Sequence, residues 1–81
     1  MNKTEILNVI TKHLVQSVDG LSADTIDPSK ALTEYGANSL DIVEIVSASM
    51  RELKIKIPRS ELADIENIDA LVEMFAKHAP Q

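Results

Sequence analysis

Apolar residues recur along this chain at helical spacing in three places and alternate in a fourth. Ile6, Ile10, Leu14 and Val18 stand four apart with Leu7 beside them, which predicts a helix from about residue 3 to 18 with one apolar stripe. Asn2, followed three residues later by Glu5, reads as a capping box at its start. Asp19-Gly20 reads as its end, because glycine takes a left-handed cap without a Cβ penalty. A second helix is expected over Ser39–Leu53, N-capped by Asn38 and with Asp41 near the positive end of the dipole. Turning about 100° per residue gathers Ile42, Ile45, Val46, Met50 and Leu53 on one side, with Val43 at the edge. Asp41, Glu44, Ala48, Arg51 and Glu52 fall on the other side. Leu40 breaks the pattern by projecting into the polar arc, either as a partner contact or under cover of the preceding loop. A third helix starts near Asn67 as N-cap, buries Ile68, Leu71, Val72 and Phe75, and carries Lys77 and His78 in its last turn, where cations suit the dipole.

The connections are equally patterned. Lys54-Ile55-Lys56-Ile57-Pro58 alternates like extended chain, but no partner strand is evident, and Pro58 biases Ile57 away from helix. Residues 60–64 are long enough for about one helical turn. Residues 20–38 form a long connection with a turn at Asp27-Pro28 and three anchors, Ile26, Leu32 and Tyr35, spaced to pin it onto the helices. A structureless loop of that length in so small a domain is uncommon and is often functional. Gly36 is expected to permit a tight approach to the second helix. The predicted fold is all-α: a small bundle of three principal helices plus one short helix, with a long first loop, in a single domain over residues 1–81.

Composition narrows the class. With 81 residues, one Phe, one Tyr, no Trp and no Cys, the core must be aliphatic, with no disulfide or thiolate metal site to support it. No apolar run approaches the roughly 18 residues of a membrane span. The N-terminal stretch lacks the apolar run of a signal peptide, so the expected location is cytoplasmic. The net charge is −5, unevenly spread: residues 13–50 net −5, residues 51–59 net +3 through Arg51, Lys54, Lys56 and Arg59, and residues 60–81 net −4. An acidic body repels phosphate backbones, so nucleic acid is an unfavourable ligand, whereas a basic protein surface would be attracted at long range. The alternative is that the acids serve only to keep a small protein soluble.

Catalytic constellations are scarce. Two histidines, His13 and His78, do not make a zinc site and read as solvated surface. There is no glycine-rich phosphate loop, and residues 19–30 lack the ligand pattern of an EF-hand. The expectation is therefore a protein that binds or is acted upon, not an enzyme. Ser39 remains. It is either an ordinary first-turn serine or a reactive hydroxyl at a helix N-terminus, where free N–H groups and the dipole would suit a phosphodiester on its oxygen.

At this point a resemblance enters. The string YGANSLDIVEIV, residues 35–46, resembles the phosphopantetheine attachment motif of acyl carrier proteins, whose usual form is Gly-x-Asp-Ser-Leu. The helices, the Asp-Pro turn, the Ile57-Pro58 pair and the helix after Asn67 fall in matching places. The resemblance implies that a phosphopantetheinyl transferase moves 4′-phosphopantetheine from coenzyme A onto Ser39, using magnesium. Acyl groups would then ride as thioesters on the imported thiol. It implies a non-catalytic monomer that binds no metal of its own and serves an acyltransferase, a ketosynthase or a hydroxymethylglutaryl-type synthase. The helix after the serine would be the recognition face, with Leu40 as apolar contact, Asp41 and Glu44 meeting basic partner residues, and Val43 and Ser47 nearby.

Two departures stand out. Asn38 replaces the usual Asp, which preserves the cap but removes a charge beside the modification site. Arg51, Lys54, Lys56 and Arg59 make the far end of the face more basic than in typical fatty-acid carriers, which either selects different partners or is a neutral surface change. Gly-Ala-Asn-Ser-Leu-Asp and the segment Met50–Leu62 look like discrete carriers of polyketide β-branching cassettes, which carry malonyl and then acetyl groups, although Ile42 stands where that subgroup often has Arg. Fatty-acid synthesis is the next reading. A small acidic interaction module without an arm is the alternative of another class.

Overall fold

The computed structural model describes residues 2–62 and 65–79. Four α-helices follow one another: α1 Lys3–Ser17, α2 Ser39–Leu53, α3 Arg59–Leu62 and α4 Ile68–His78, with 3₁₀ turns at Ala23–Thr25 and Leu32–Tyr35. No strand forms among the described residues. The expected all-α bundle with three long helices and one short one is what the chain adopts. The short helix begins at Arg59, and Ala63 and Asp64, the end of its expected span, lie outside the described residues.

α1 is the hub, packed against both α2 and α4. Its stripe of Ile6, Ile10 and Leu14 is fully buried. Ile45, Val46 and Leu53 from α2 and Ile68, Leu71, Val72 and Phe75 from α4 meet it. At about 1.5–3 kcal/mol for each large side chain withdrawn from water, this aliphatic set is the main favourable term. Ser49 is also fully buried, with no hydrogen-bond partner for its hydroxyl among the described residues.

The extended segment after α2 alternates as expected, Ile55 and Ile57 buried and Lys54 and Lys56 exposed. It pins the C-terminus of α2 through a Schellman arrangement: the Lys54 and Ile55 N–H groups both donate to the Met50 carbonyl. Lys54 thereby takes φ 58°, ψ 39°, a left-handed conformation that glycine adopts more easily. Nothing in the hydrophobic pattern announces it.

The long connection is more ordered than a structureless loop. Leu32 is buried and Ile26 and Tyr35 are half-buried, so all three anchors hold. The Tyr35 hydroxyl accepts the Asp27 N–H. Asp27 Oδ1 accepts the Ser29 N–H at 2.9 Å and the Ser29 hydroxyl at 2.7 Å, closing the Asp-Pro turn. Carbonyls of that turn then reach α4. Pro28 O accepts the Asp69 N–H at 2.9 Å and Lys30 O the Ile68 N–H at 3.0 Å, while Asn67 Oδ1 takes the Ala70 N–H. The loop thus satisfies the orphan donors of a helix distant in sequence.

Three smaller expectations need correction. α1 ends at Ser17 with Val18 extended, so Gly20, at φ 84°, turns the loop and does not cap the helix. Asn2 Oδ1 does accept the Glu5 N–H, but the returning half of that capping box is absent from the described hydrogen bonds. The histidines are not free surface: His13 Nε2 lies 3.0 Å from Glu52 Oε1, and His78 Nε2 lies 2.8 Å from Glu61 Oε2. Glu52 is shared with Lys12, tying α2 to α1, and Glu61 with Lys77, tying α3 to α4.

Two expectations follow. Lys54→Gly relieves the left-handed strain but loosens the unfolded chain, and should raise stability by about 0.5–1 kcal/mol in urea denaturation. The hydrogen bond from Lys12 holds the Glu52 carboxyl below its ordinary 4.5, and the Ser29 hydroxyl holds Asp27 below its ordinary 3.8. A carboxyl with a lowered folded pKa stabilises the fold above its unfolded pKa, and that stability is lost as pH falls through the folded value. Melting temperature should therefore drop steadily below about pH 4.5. Glu52→Gln should flatten that acid limb in melts run from pH 6 to 3.

Candidate functional site

The start of α2 is built by a reciprocal cap. Asn38 Oδ1 accepts the Asp41 N–H at 2.8 Å, and Asp41 Oδ2 accepts the Asn38 N–H at 3.1 Å. Asn38 is extended at φ −91°, ψ −178°, and Gly36 before it is left-handed at φ 92°. The positive φ is what requires glycine there. A Cβ on Gly36 would meet Val18 Cγ1 at an ordinary 3.6 Å, so the expected tight approach is not the reason. Ala37 between them is buried and fixes the entry into the helix.

Ser39 is the first helical residue and is exposed. Its hydroxyl takes no part in the cap and makes no hydrogen bond among the described residues. The cap uses the N–H groups of Asn38 and Asp41, and Ile42 N–H donates to Asn38 O at 2.9 Å. Among the described residues the amides of Ser39 and Leu40 have no hydrogen-bond partner at the positive end of the dipole. Donors of this kind fit a phosphodiester on the Ser39 oxygen.

Around Ser39 the surface is apolar in an unusual way. Leu40 is 80% exposed and Val43 is 56% exposed. The preceding loop does not cover Leu40. Val43 stands at the exposed edge of the apolar side, as expected. Glu44 is exposed and Asp41 and Ser47 are half-buried, so all five residues of the expected recognition face lie on the accessible half of α2. Beside this face opens a cavity of about 650 Å³ between α2, α3, the 3₁₀ turn Leu32–Tyr35 and the start of α4. Leu32, Ile42, Val46, Met50, Leu62 and Leu71 give it an aliphatic wall. Ile42 and Val43, one turn along from Ser39, stand at its rim. The hydrophobic pattern alone did not reveal it, since Ile42 and Met50 are counted as core in a helical wheel whether or not the space beside them is filled.

Ser39 is thus left out of its own helix cap, with its hydroxyl accessible. The family described as "Phosphopantetheine attachment site" matches residues 11–75. The chain belongs to the acyl carrier protein family. This carrier is 34% identical over 75 residues to "Polyketide biosynthesis acyl-carrier-protein AcpK" of Bacillus subtilis, covering 93% of this chain and 92% of that protein. It is 32% identical over 77 residues to an acyl carrier protein of Campylobacter hominis, covering 91% and 92%. With an acyl carrier protein of Saccharopolyspora erythraea the identity is 33% over 75 residues, covering 91% and 78%. Members hold acyl groups through a phosphopantetheine arm and are not themselves catalysts. Among the described residues no group of three or more His, Cys, Asp or Glu side chains could hold a metal, and no helix is long and apolar enough to cross a membrane.

The cap is separable from the hydroxyl. Asn38→Ala should lower unfolding free energy by about 1 kcal/mol, and Asn38→Asp should retain most of it. Chemical denaturation of the three proteins checks both.

Proposed function

We propose that Ser39 is the residue to which 4′-phosphopantetheine is joined, and that the loaded carrier serves polyketide biosynthesis. The observation that carries the first half is the exposed Ser39 hydroxyl at a helix N-terminus, beside two amides that no other group uses among the described residues. A phosphopantetheinyl transferase would bring coenzyme A to this oxygen. The Ser39 hydroxyl attacks the pantetheine-side phosphate, its proton passes to the transferase or solvent, and the nucleotide portion of coenzyme A leaves. The bound group supplies a terminal thiol for thioester chemistry, which a chain without cysteine cannot supply itself. The carrier's own residues hold the attachment point outward, offer N–H groups to its phosphate and present the surface that partners read.

Leu40 and Val43 supply the apolar centre of that surface, Asp41 and Glu44 its charge, and Ser47 its far edge. Exposed charge pairs contribute little energy each, so these acids steer encounter and set register with basic residues of the transferase, acyltransferase and ketosynthase. The aliphatic cavity beside Ile42 offers a cargo chain a place out of water, within the usual size range of small-molecule pockets. The polyketide assignment is supported by likeness to a Bacillus subtilis protein of that printed role, and by the Gly-Ala-Asn-Ser-Leu-Asp string. Within it, a β-branching cassette that uses malonyl and acetyl cargo with a hydroxymethylglutaryl-type synthase is the preferred place.

Incubation with coenzyme A, magnesium and a broad-specificity transferase should add one phosphopantetheinyl mass to the protein, and Ser39→Ala should abolish the gain. Failure of the unaltered protein with several transferases would overturn the assignment. Asp41→Lys with Glu44→Lys should lower the modification rate about tenfold at low salt and less at high salt, since steering is screened. Mass spectrometry of the protein from its host should find malonyl or acetyl cargo. Long saturated chains would place it in fatty-acid synthesis instead.

A further inference from the structure

The C-terminal half of α2 carries a second surface of opposite sign. Arg51, Lys54 and Lys56 are exposed and, among the described residues, form no ion pair. They border a shallow groove with Glu44, Ser47 and Met50. The one acid within this basic stretch, Glu52, is turned the other way and held by Lys12 and His13 of α1, so it does not neutralise them. The helix dipole explains a cation in the last turn but not Lys56, which stands in extended chain beyond the cap and outside the reach of that effect. Lys54 is retained at a left-handed position where glycine would be relaxed.

We propose that this groove is a docking site for a protein partner that presents carboxylates, so that partners of this carrier read α2 as a two-signed strip. Asp41 and Arg51 are ten residues apart, which separates the acidic and basic ends by about 15 Å along the helix. A partner that fits must place basic groups near Asp41 and Glu44 and acidic groups about 10–15 Å away. Charge complementarity selects a protein as the occupant. A nucleic acid carries one sign throughout and would meet Asp41 and Glu44 as well as the overall charge of −5. A small anion would need converging donors, whereas these three cations are strung along a helix end and an extended segment. The inference deepens the proposed function by adding the partner's charge pattern, but its test needs no arm.

The test uses the unmodified protein, ¹⁵N-labelled, at 20 mM salt, with hexaglutamate and hexalysine as probes. Hexaglutamate should saturably shift the amides of Ser47, Arg51, Lys54 and Lys56 despite the like net charge, and hexalysine those near Asp41 and Glu44. R51E/K54E/K56E should weaken hexaglutamate at least tenfold and leave hexalysine no weaker. R51Q/K54Q/K56Q, a milder change, should give the same loss if the charge-reversed protein folds poorly. Ser39→Ala should bind both probes unchanged, so failure of arm attachment and failure of this site are told apart. The proposal is overturned if hexaglutamate leaves these amides unmoved. It is equally overturned if inorganic phosphate saturates them as well, which would mark a small-anion site, or a short oligonucleotide does so more tightly. Concentration-dependent shifts at these amides without any probe would assign the face to a second copy of this chain and overturn it too.

Discussion

Asn38 and Asp41 satisfy each other's backbone N–H groups, and the accessibility of the site follows from that exchange. A helix N-terminus must find partners for its first donors, and a serine in the first turn is a ready source of an oxygen acceptor. Here the reciprocal cap uses the side chains on either side of Ser39 and Leu40, at 2.8 and 3.1 Å, and makes no demand on the hydroxyl between them. The family's usual Asp before the serine could accept the same N–H, so Asn38 keeps the geometry while removing one negative charge beside Ser39. The two requirements, a well-capped helix and a bare serine, are met by different residues.

The same logic runs through the long loop. Its apolar anchors hold it down, but its carbonyls do as much, since Pro28 and Lys30 accept the first N–H groups of α4. Loop and helix therefore complete one another. The loop also forms one wall of the aliphatic cavity through Leu32, while Leu62 from α3 forms another. α3 is a single turn tied to α4 by Glu61 through Lys77 and His78. On that side Leu62 and Ile65 are only half-buried against the core, whereas Val46 on the α2 side is buried. If the cavity changes volume to admit cargo, the thinner side is where the structure resists least.

What could be read from the sequence was whatever repeats locally. Three asparagines, at 2, 38 and 67, each mark a helix start because an N-cap is a contact three residues long. The stripes of α1 and α4 follow from a period of 3.6. Ser39 stood out by position, and its neighbours through a resemblance in one short motif. What escaped notice depends on residues brought together from afar. His13 meets Glu52 across 39 positions, and no local pattern distinguishes that histidine from a solvated one. Ser49 is fully buried within the packed bundle, although a hydroxyl reads as polar. The left-handed Lys54 is forced by the pull of buried Ile55 on the chain just after α2, a constraint visible once the Schellman bonds to Met50 are in place.

A carrier must be recognised by several enzymes and released by each, which argues against a large apolar interface and for a short one with directional charge. Leu40 and Val43 supply a small exposed apolar centre, too small to hold a partner for long. Charges around it discriminate mainly through the arrangements they forbid. A strip with one sign can slide or reverse along a basic groove with little penalty. A strip whose sign changes between Glu44 and Arg51 cannot, because reversal sets like charges against each other at both ends. The uneven charge along α2 therefore bears on orientation more than on affinity, and on the proposed attachment, orientation decides whether the exposed start of α2 faces a partner's active site or turns away from it.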